Sequence, residues 1–216
     1  MKWGMLLFLA LTGCNGWVSP ETDPNITDHY FSVFSGPPLS GVLVASAVQW
    51  NADYAVTAAH TPFLANQAHR CSTGCDLLFI THKADGRIPR WREFRPGEAV
   101  TALGSSSLLI PMSAEGRVWP TSFVKPGSGS RERYGVHDAA IAKGMSGGPL
   151  IARDGSVLGI NIGYSKNWSA PANRPEQTGM TRLSVFVPYS VILREWRLFE
   201  ARTAKSAAHS LQAKNQ

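Results

Sequence analysis

Across residues 31–187 the apolar residues come in short runs, and each run is soon ended by glycine, proline, asparagine or aspartate. Phe31-Ser32-Val33-Phe34 alternates, and Ser35-Gly36-Pro37-Pro38 turns. Residues 41–50 are Val-rich, Asn51-Ala52-Asp53 turns again, and Tyr54-Ala55-Val56-Thr57 returns as the partner strand. Further strands are predicted over 76–81, 98–103, 107–111, 117–124, 149–152, 157–162 and 183–187, with Asp154-Gly155 as a hairpin turn. Runs this short, with turn signals roughly every 8–12 residues, cannot build helical layers; they predict an all-β chain of barrels or a sandwich. The 20 glycines and 14 prolines fit that reading. Only the end differs. Pro188 stops the last strand, and residues 189–208 hold few breakers. There Ile192, Trp196 and Phe199 fall at i, i+4 and i+7, the apolar stripe of a helix packed on a barrel surface.

The first residues belong to a different kind of segment. Met1-Lys2-Trp3 is a short charged start, and residues 4–11 are an apolar run too short to span a bilayer but suited to a signal peptide. The run ends in Leu11-Thr12-Gly13-Cys14, which resembles the bacterial lipobox. A signal peptide over 1–13, a lipidated Cys14 and a polar tether over 14–30 are therefore expected, with the chain exported and anchored in a bacterial cell envelope. Two cysteines remain, Cys71 and Cys75. In an exported chain this close pair reads as a disulfide, with free thiols as the alternative. Two thiols alone lack the ligand count of a zinc site. The net charge is +6, but Lys and Arg are scattered singly with no aromatic interleaving, so no nucleic-acid partner is expected.

Three segments carry chemistry. In Gly144-Met145-Ser146-Gly147-Gly148-Pro149, the glycines let the backbone turn tightly around a serine, so that N–H groups can converge on one point. The N–H groups of Gly144 and Ser146, one residue apart, have the spacing to bracket a carbonyl oxygen, and a serine hydroxyl needs such donors and a base to act as nucleophile. In Val56-Thr57-Ala58-Ala59-His60 a histidine follows a strand end, with small alanines allowing close packing behind the ring. In Cys75-Asp76-Leu77-Leu78-Phe79-Ile80 an aspartate opens a strand.

Together these segments resemble the trypsin/chymotrypsin superfamily of serine proteases, whose motifs commonly read T-A-A-H and G-D-S-G-G-P in the chain order His, Asp, Ser. The resemblance spans about residues 31–188. It implies two packed six-stranded antiparallel barrels with the site between them: a serine protease domain over 31–187, followed by a helix and tail over 188–216. It also implies His60 as general base, Asp76 as its orienting acid, Ser146 as nucleophile and the Gly144 and Ser146 N–H groups as oxyanion hole. A protein or peptide is the implied substrate, and no cofactor or metal is required. The pocket would be walled by Ala140 and Lys143 before the nucleophile and by Ile160, Asn161 and Ile162 on the following strand.

Two departures qualify the match. Asp76 follows His60 by only 16 positions, which keeps Asp85 as a competing acid. Met145 stands where the family usually has an aspartate that pairs with a freed N-terminus, so that activation route is closed to this chain. Two rivals follow. One is an α/β-hydrolase esterase, since Gly144-x-Ser146-x-Gly148 fits a nucleophile elbow, with Asp154 and His209 as the downstream acid and base. The other is a catalytically inactive protease-fold lipoprotein serving as a binding module.

Overall fold

The computed structural model describes residues 12–13, 16–36, 43–124, 132–166 and 182–214. Cys14 and nearly all of the expected signal peptide lie outside them. In chain order, β1 (Thr12–Gly13) pairs with β2 (Gly16–Trp17), and β3 (Ser19–Pro20) precedes a single helical turn, α1 (Pro24–Thr27). Asp23 caps that turn by accepting from Asn25 N at 2.9 Å.

An N-terminal lobe follows: β4 (Phe31–Ser35), β5 (Leu43–Gln49), β6 (Tyr54–Thr57), β7 (Gln67–Arg70) and β8 (Leu78–Thr81). They form one antiparallel sheet in the order β4-β5-β6-β8-β7. The C-terminal lobe holds β9 (Ala99–Ser105), β10 (Pro111–Phe123), β11 (Tyr134–His137), β12 (Pro149–Ala152), β13 (Val157–Lys166) and β14 (Arg182–Pro188). Its order is β11-β14-β13-β12-β9-β10, and β10 pairs back onto β11, so six antiparallel strands close a barrel. The last element is a helix, α2 (Tyr189–Lys214). The fold is thus mostly β with a trypsin-like closed barrel, a second sheet and a C-terminal helix. An α/β-hydrolase is ruled out because, among the described residues, the single turn α1 is the only helix between strands and the barrel strands are antiparallel.

Strand burial explains the pattern read from the sequence. Ala45, Ala47, Val48, Ala55, Val56, Phe79 and Ile80 are buried, and their small and branched side chains fit the pleat. Val48, Val56 and Phe79 join Leu103, Tyr134 and Val185 in a core that runs from one lobe into the other. The stripe predicted on α2 docks there as well: Trp196 lies 5.1 Å from Tyr54 and 5.5 Å from Phe79, and Phe199 lies 5.5 Å from Tyr54 (ring centroids).

Two expectations are corrected. In place of the strand predicted over 107–111, residues 106–110 form a tight turn with Leu109 at φ 62°. Ser106 makes it, its hydroxyl accepting from Leu108 N and Ile110 N at 3.2 and 3.1 Å. The stretch predicted as a free tether also packs in part. Ser19 and Pro20 pair with Ser113 and Met112 of β10, and Val18 is buried in the barrel core.

Candidate active site

Three chain segments come together where the two lobes touch. His60 lies just beyond the end of β6. Asp76 lies between a small disulfide loop and β8. Cys71 and Cys75 are bonded to each other, with Gly74 N donating to Cys71 O at 3.2 Å inside the loop. Asp76 engages His60 twice: Oδ1 accepts from His60 N at 2.8 Å, and Oδ2 accepts from His60 Nδ1–H at 2.7 Å. A carboxylate accepts here, so the bond assigns a proton to Nδ1. The short interval from His60 to Asp76 is bridged by the loop after β6, the strand β7 and the disulfide. Asp85 is exposed and has no part in the pair. Tyr134 of β11, almost wholly buried, accepts from Asp76 N through its hydroxyl at 3.0 Å. The aspartate is thereby held by its own backbone as well as by the histidine. Burial pushes the Tyr134 hydroxyl above its ordinary pKa, so it stays a neutral partner.

Ser146 sits on a loop whose amides alternate in their use. Met145 N donates to Ala142 O at 3.1 Å, Gly147 N to Asn161 O at 2.7 Å and Gly148 N to Met145 O at 3.0 Å. The Gly144 and Ser146 N–H groups have no protein acceptor among the described residues. Two unfilled donors separated by one satisfied donor are what an oxyanion site needs. Gly144 and Gly147 adopt φ of 96° and 83°, and both approach backbone closely. A Cβ on Gly144 would lie 2.5 Å from Ser105 O. One on Gly147 would overlap Ser46 O and the Thr57 hydroxyl and lie 3.0 Å from Ala58 N. The Ser146 loop therefore rests on the segment that leads into His60.

Ser46 on β5 clamps this contact. Its N–H donates to Ser146 O at 2.8 Å and its hydroxyl to Gly144 O at 2.9 Å, while the same hydroxyl accepts from Ser105 N at 2.9 Å. No hydrogen bond joins Ser146 to the His60 ring among the described residues, a spacing that substrate binding commonly tightens in such sites. Met145 is fully buried and accepts from Ala142 N at its sulfur at 3.3 Å, so packing and a weak bond replace an ion pair.

No protein-family model matches the chain. Serine protease HTRA1 of Xenopus laevis is 37% identical over 100 residues, covering 40% of this chain and 20% of that protein. The chain thus spans about one fifth of the length of the curated relatives it matches. Among solved structures, the active form of the Rv3671c protease from M. tuberculosis has a TM-score of 0.60 at 17% identity, covering 82% of this chain and 86% of that one. The HtrA-type protease AlgW, solved with a tripeptide, has a TM-score of 0.58 at 20% identity, covering 77% of this chain and 58% of that one. The fold is that of the trypsin-like serine proteases.

Within this trypsin-like frame the expected pocket residues separate into two groups. Lys143 is exposed at the rim. Ala140, Ile160 and Ile162 are buried, Ile160 completely. Asn161 is also fully buried, and it works as a strut: its Nδ2 donates to Gly148 O at 3.2 Å and Pro149 O at 3.0 Å, and its own N–H donates to Gly148 O at 2.8 Å. Next to Asp76, the residues Phe123, Tyr134, Ile162, Gly163, Tyr164 and Val185 line a mostly apolar cavity of about 140 Å³. Sequence reasoning missed Ser46, Tyr134 and the strut role of Asn161. Only Tyr134 left a signal, the alternation of Tyr134-Gly135-Val136-His137.

His137 completes the support. Its Nε2–H donates to Asn161 Oδ1 at 3.0 Å, and its Nδ1 lacks a partner among the described residues. Burial pushes its pKa from 6.5 down to about 4. The unfolded chain therefore binds a proton that the folded chain refuses between those values, so the folded state loses stability as pH falls through that window. We expect a loss of about 3 kcal/mol from this group between pH 7 and pH 4. Urea titrations at several pH values check it. A His137→Gln variant should lose most of that slope, and an unchanged slope would refute the assignment.

Proposed function

We propose that this chain is a serine endopeptidase that cleaves peptide bonds through an acyl-enzyme. The observation that carries the reading is the His60–Asp76 pair, with both carboxylate oxygens engaged, together with a Ser146 loop whose Gly144 and Ser146 N–H groups are unfilled among the described residues. Ser146 Oγ attacks the scissile carbonyl while His60 Nε2 takes its proton. Asp76 holds the imidazole in the Nδ1–H form and stabilises the imidazolium. The Gly144 and Ser146 N–H groups receive the oxyanion, the amine leaves with the proton from His60, and water then releases the acyl group by the same steps. That the similar HtrA-type protease AlgW was solved with a tripeptide is consistent with a peptide as substrate. The missing Ser146–His60 bond favours one second reading, an inert protease-fold binding module.

A fluorophosphonate probe separates the two. It is expected to label the native chain at Ser146, as mapped by peptide mass, and not the heat-denatured chain. Absence of labelling across a range of pH with added peptide would favour the inert module.

The proposal extends to location. Leu11-Thr12-Gly13-Cys14 supports export with a diacylglycerol on Cys14, which would place the protease on a bacterial membrane surface. Cells expressing the chain and fed radiolabelled palmitate should yield a labelled band. Cys14→Ser should remove the label, and label that persists in that variant would rule out this anchor.

A further inference from the structure

The C-terminal helix reaches the catalytic cleft through one buried carboxylate. Glu195 of α2 has no exposed surface. It accepts from Ser72 N at 2.7 Å, from the Ser72 hydroxyl at 3.0 Å and from His69 Nε2–H at 3.3 Å. Its neighbour Arg194 donates to Glu195 Oε1 at 3.1 Å and to Glu132 at 2.6 Å, and Glu132 accepts from the Thr73 hydroxyl at 3.1 Å. Ser72 and Thr73 are two of the three residues enclosed by the Cys71–Cys75 disulfide. Asp76, the next residue after that loop, is tied through its N–H to Tyr134, two positions from Glu132. The loop is therefore fixed at Ser72 to α2 and at Thr73 to Glu132, the residue after it, Asp76, is fixed to β11, and the loop is closed on itself by the disulfide.

A buried carboxylate is an unfavourable way to fill space. Removing it from water is offset only by several good hydrogen bonds, and an apolar side chain of similar size packs as well or better. Burial pushes the Glu195 pKa up, yet the Ser72 N–H and hydroxyl, with Arg194 and His69, outweigh it and hold the group below the usual carboxylate range. An ionised, fully bonded carboxylate gains in conformational definition what it loses in desolvation, and the element it defines is the loop that carries Asp76.

We propose that Glu195 is a positioning residue, which through Ser72 and the Cys71–Cys75 loop sets the Asp76 carboxylate against His60. The inference rests on the serine endopeptidase reading. It predicts that Glu195→Ala in the full chain lowers kcat about 10- to 100-fold with KM within about twofold, as expected when only the chemical step loses alignment. Glu195→Gln keeps an oxygen for the Ser72 N–H and should restore kcat to within about fivefold of wild type. A merely structural role would not produce that split or that rescue.

The second readout needs no substrate. The His60 Nδ1–H bonded to Asp76 should give a far-downfield proton resonance in wild type and Glu195→Gln, and lose it in Glu195→Ala. A folded Glu195→Ala variant with wild-type kcat and an intact resonance would overturn the proposal. Should Glu195→Ala not fold, the wild type treated with a dithiol takes its place. The reductant becomes a disulfide as Cys71 and Cys75 become two thiols. The resonance should fade and return on reoxidation, and a resonance that survives in the reduced, folded chain overturns the proposal. If the wild type cleaves nothing while the resonance still depends on Glu195, the protease reading fails and the positioning role stands.

Discussion

Asp76→Asn is expected to lower kcat about ten-thousand-fold while the chain still folds. The amide is nearly isosteric, so the Asp76 N–H can still donate to Tyr134 and the side-chain oxygen can still accept from His60 N. What changes is the His60 ring. An amide can present its NH₂ to Nδ1, and the proton then moves to Nε2, the atom that must be free to accept from Ser146. The wrong tautomer and the missing negative charge act together, since the imidazolium formed during attack also loses its partner. KM should stay within a few-fold, because Asp76 lies behind the histidine. Steady-state kinetics on a peptide substrate, with circular dichroism to confirm folding, measure this. A fall of less than about tenfold would place the triad acid elsewhere.

Gly147→Ala is expected to cost more than about 3 kcal/mol of stability and to remove activity with it. Two penalties combine. The residue has φ 83°, which an alanine adopts with strain, and its new methyl group would overlap Ser46 O and the Thr57 hydroxyl. Neither partner can move easily. Thr57 donates to Ser46 O at 2.7 Å, and the Ser46 N–H holds Ser146 O. Gly97→Ala is the control. There φ is 82° and no atom lies within 4 Å of where the methyl group would stand, so only the backbone strain remains, about 1 kcal/mol. Denaturant midpoints of the two variants give the comparison. Equal losses would show that the packing of the loop on β5 and β6 contributes nothing beyond the glycine conformation.

The sequence is most legible where a motif is written into adjacent residues. Ser146 and His60 announce themselves through dense local glycine and alanine, because tight turns and close packing demand small side chains there. The helix stripe of Ile192, Trp196 and Phe199 is equally plain, since one face has to carry all the burial. What stays hidden depends on contacts between distant positions. β7, Gln67–Arg70, has a polar face that hides its strand character, and it is stabilised by pairing with β8. The 106–110 turn looks like a strand in the sequence because Leu108, Leu109 and Ile110 are apolar, yet all three are exposed. Ser46 is an unremarked serine in a strand until Gly144, Ser105 and Ser146 close around it. Asp76 can be named from the motif order, but the way it is held (Tyr134 behind it, the disulfide before it) is a product of the tertiary fold.

Half of α2 has a different fate from the other half. Up to Phe199 the helix is held through Trp196, Phe199 and the buried Glu195, whereas residues 201–208 are exposed, with Arg202 still reaching His69 Nε2 at 3.5 Å. Digestion from the carboxyl end is therefore expected to shorten the exposed turns first and to slow at Phe199, where the packed half begins. The outer turns would thus be lost before the residues that hold the Cys71–Cys75 loop.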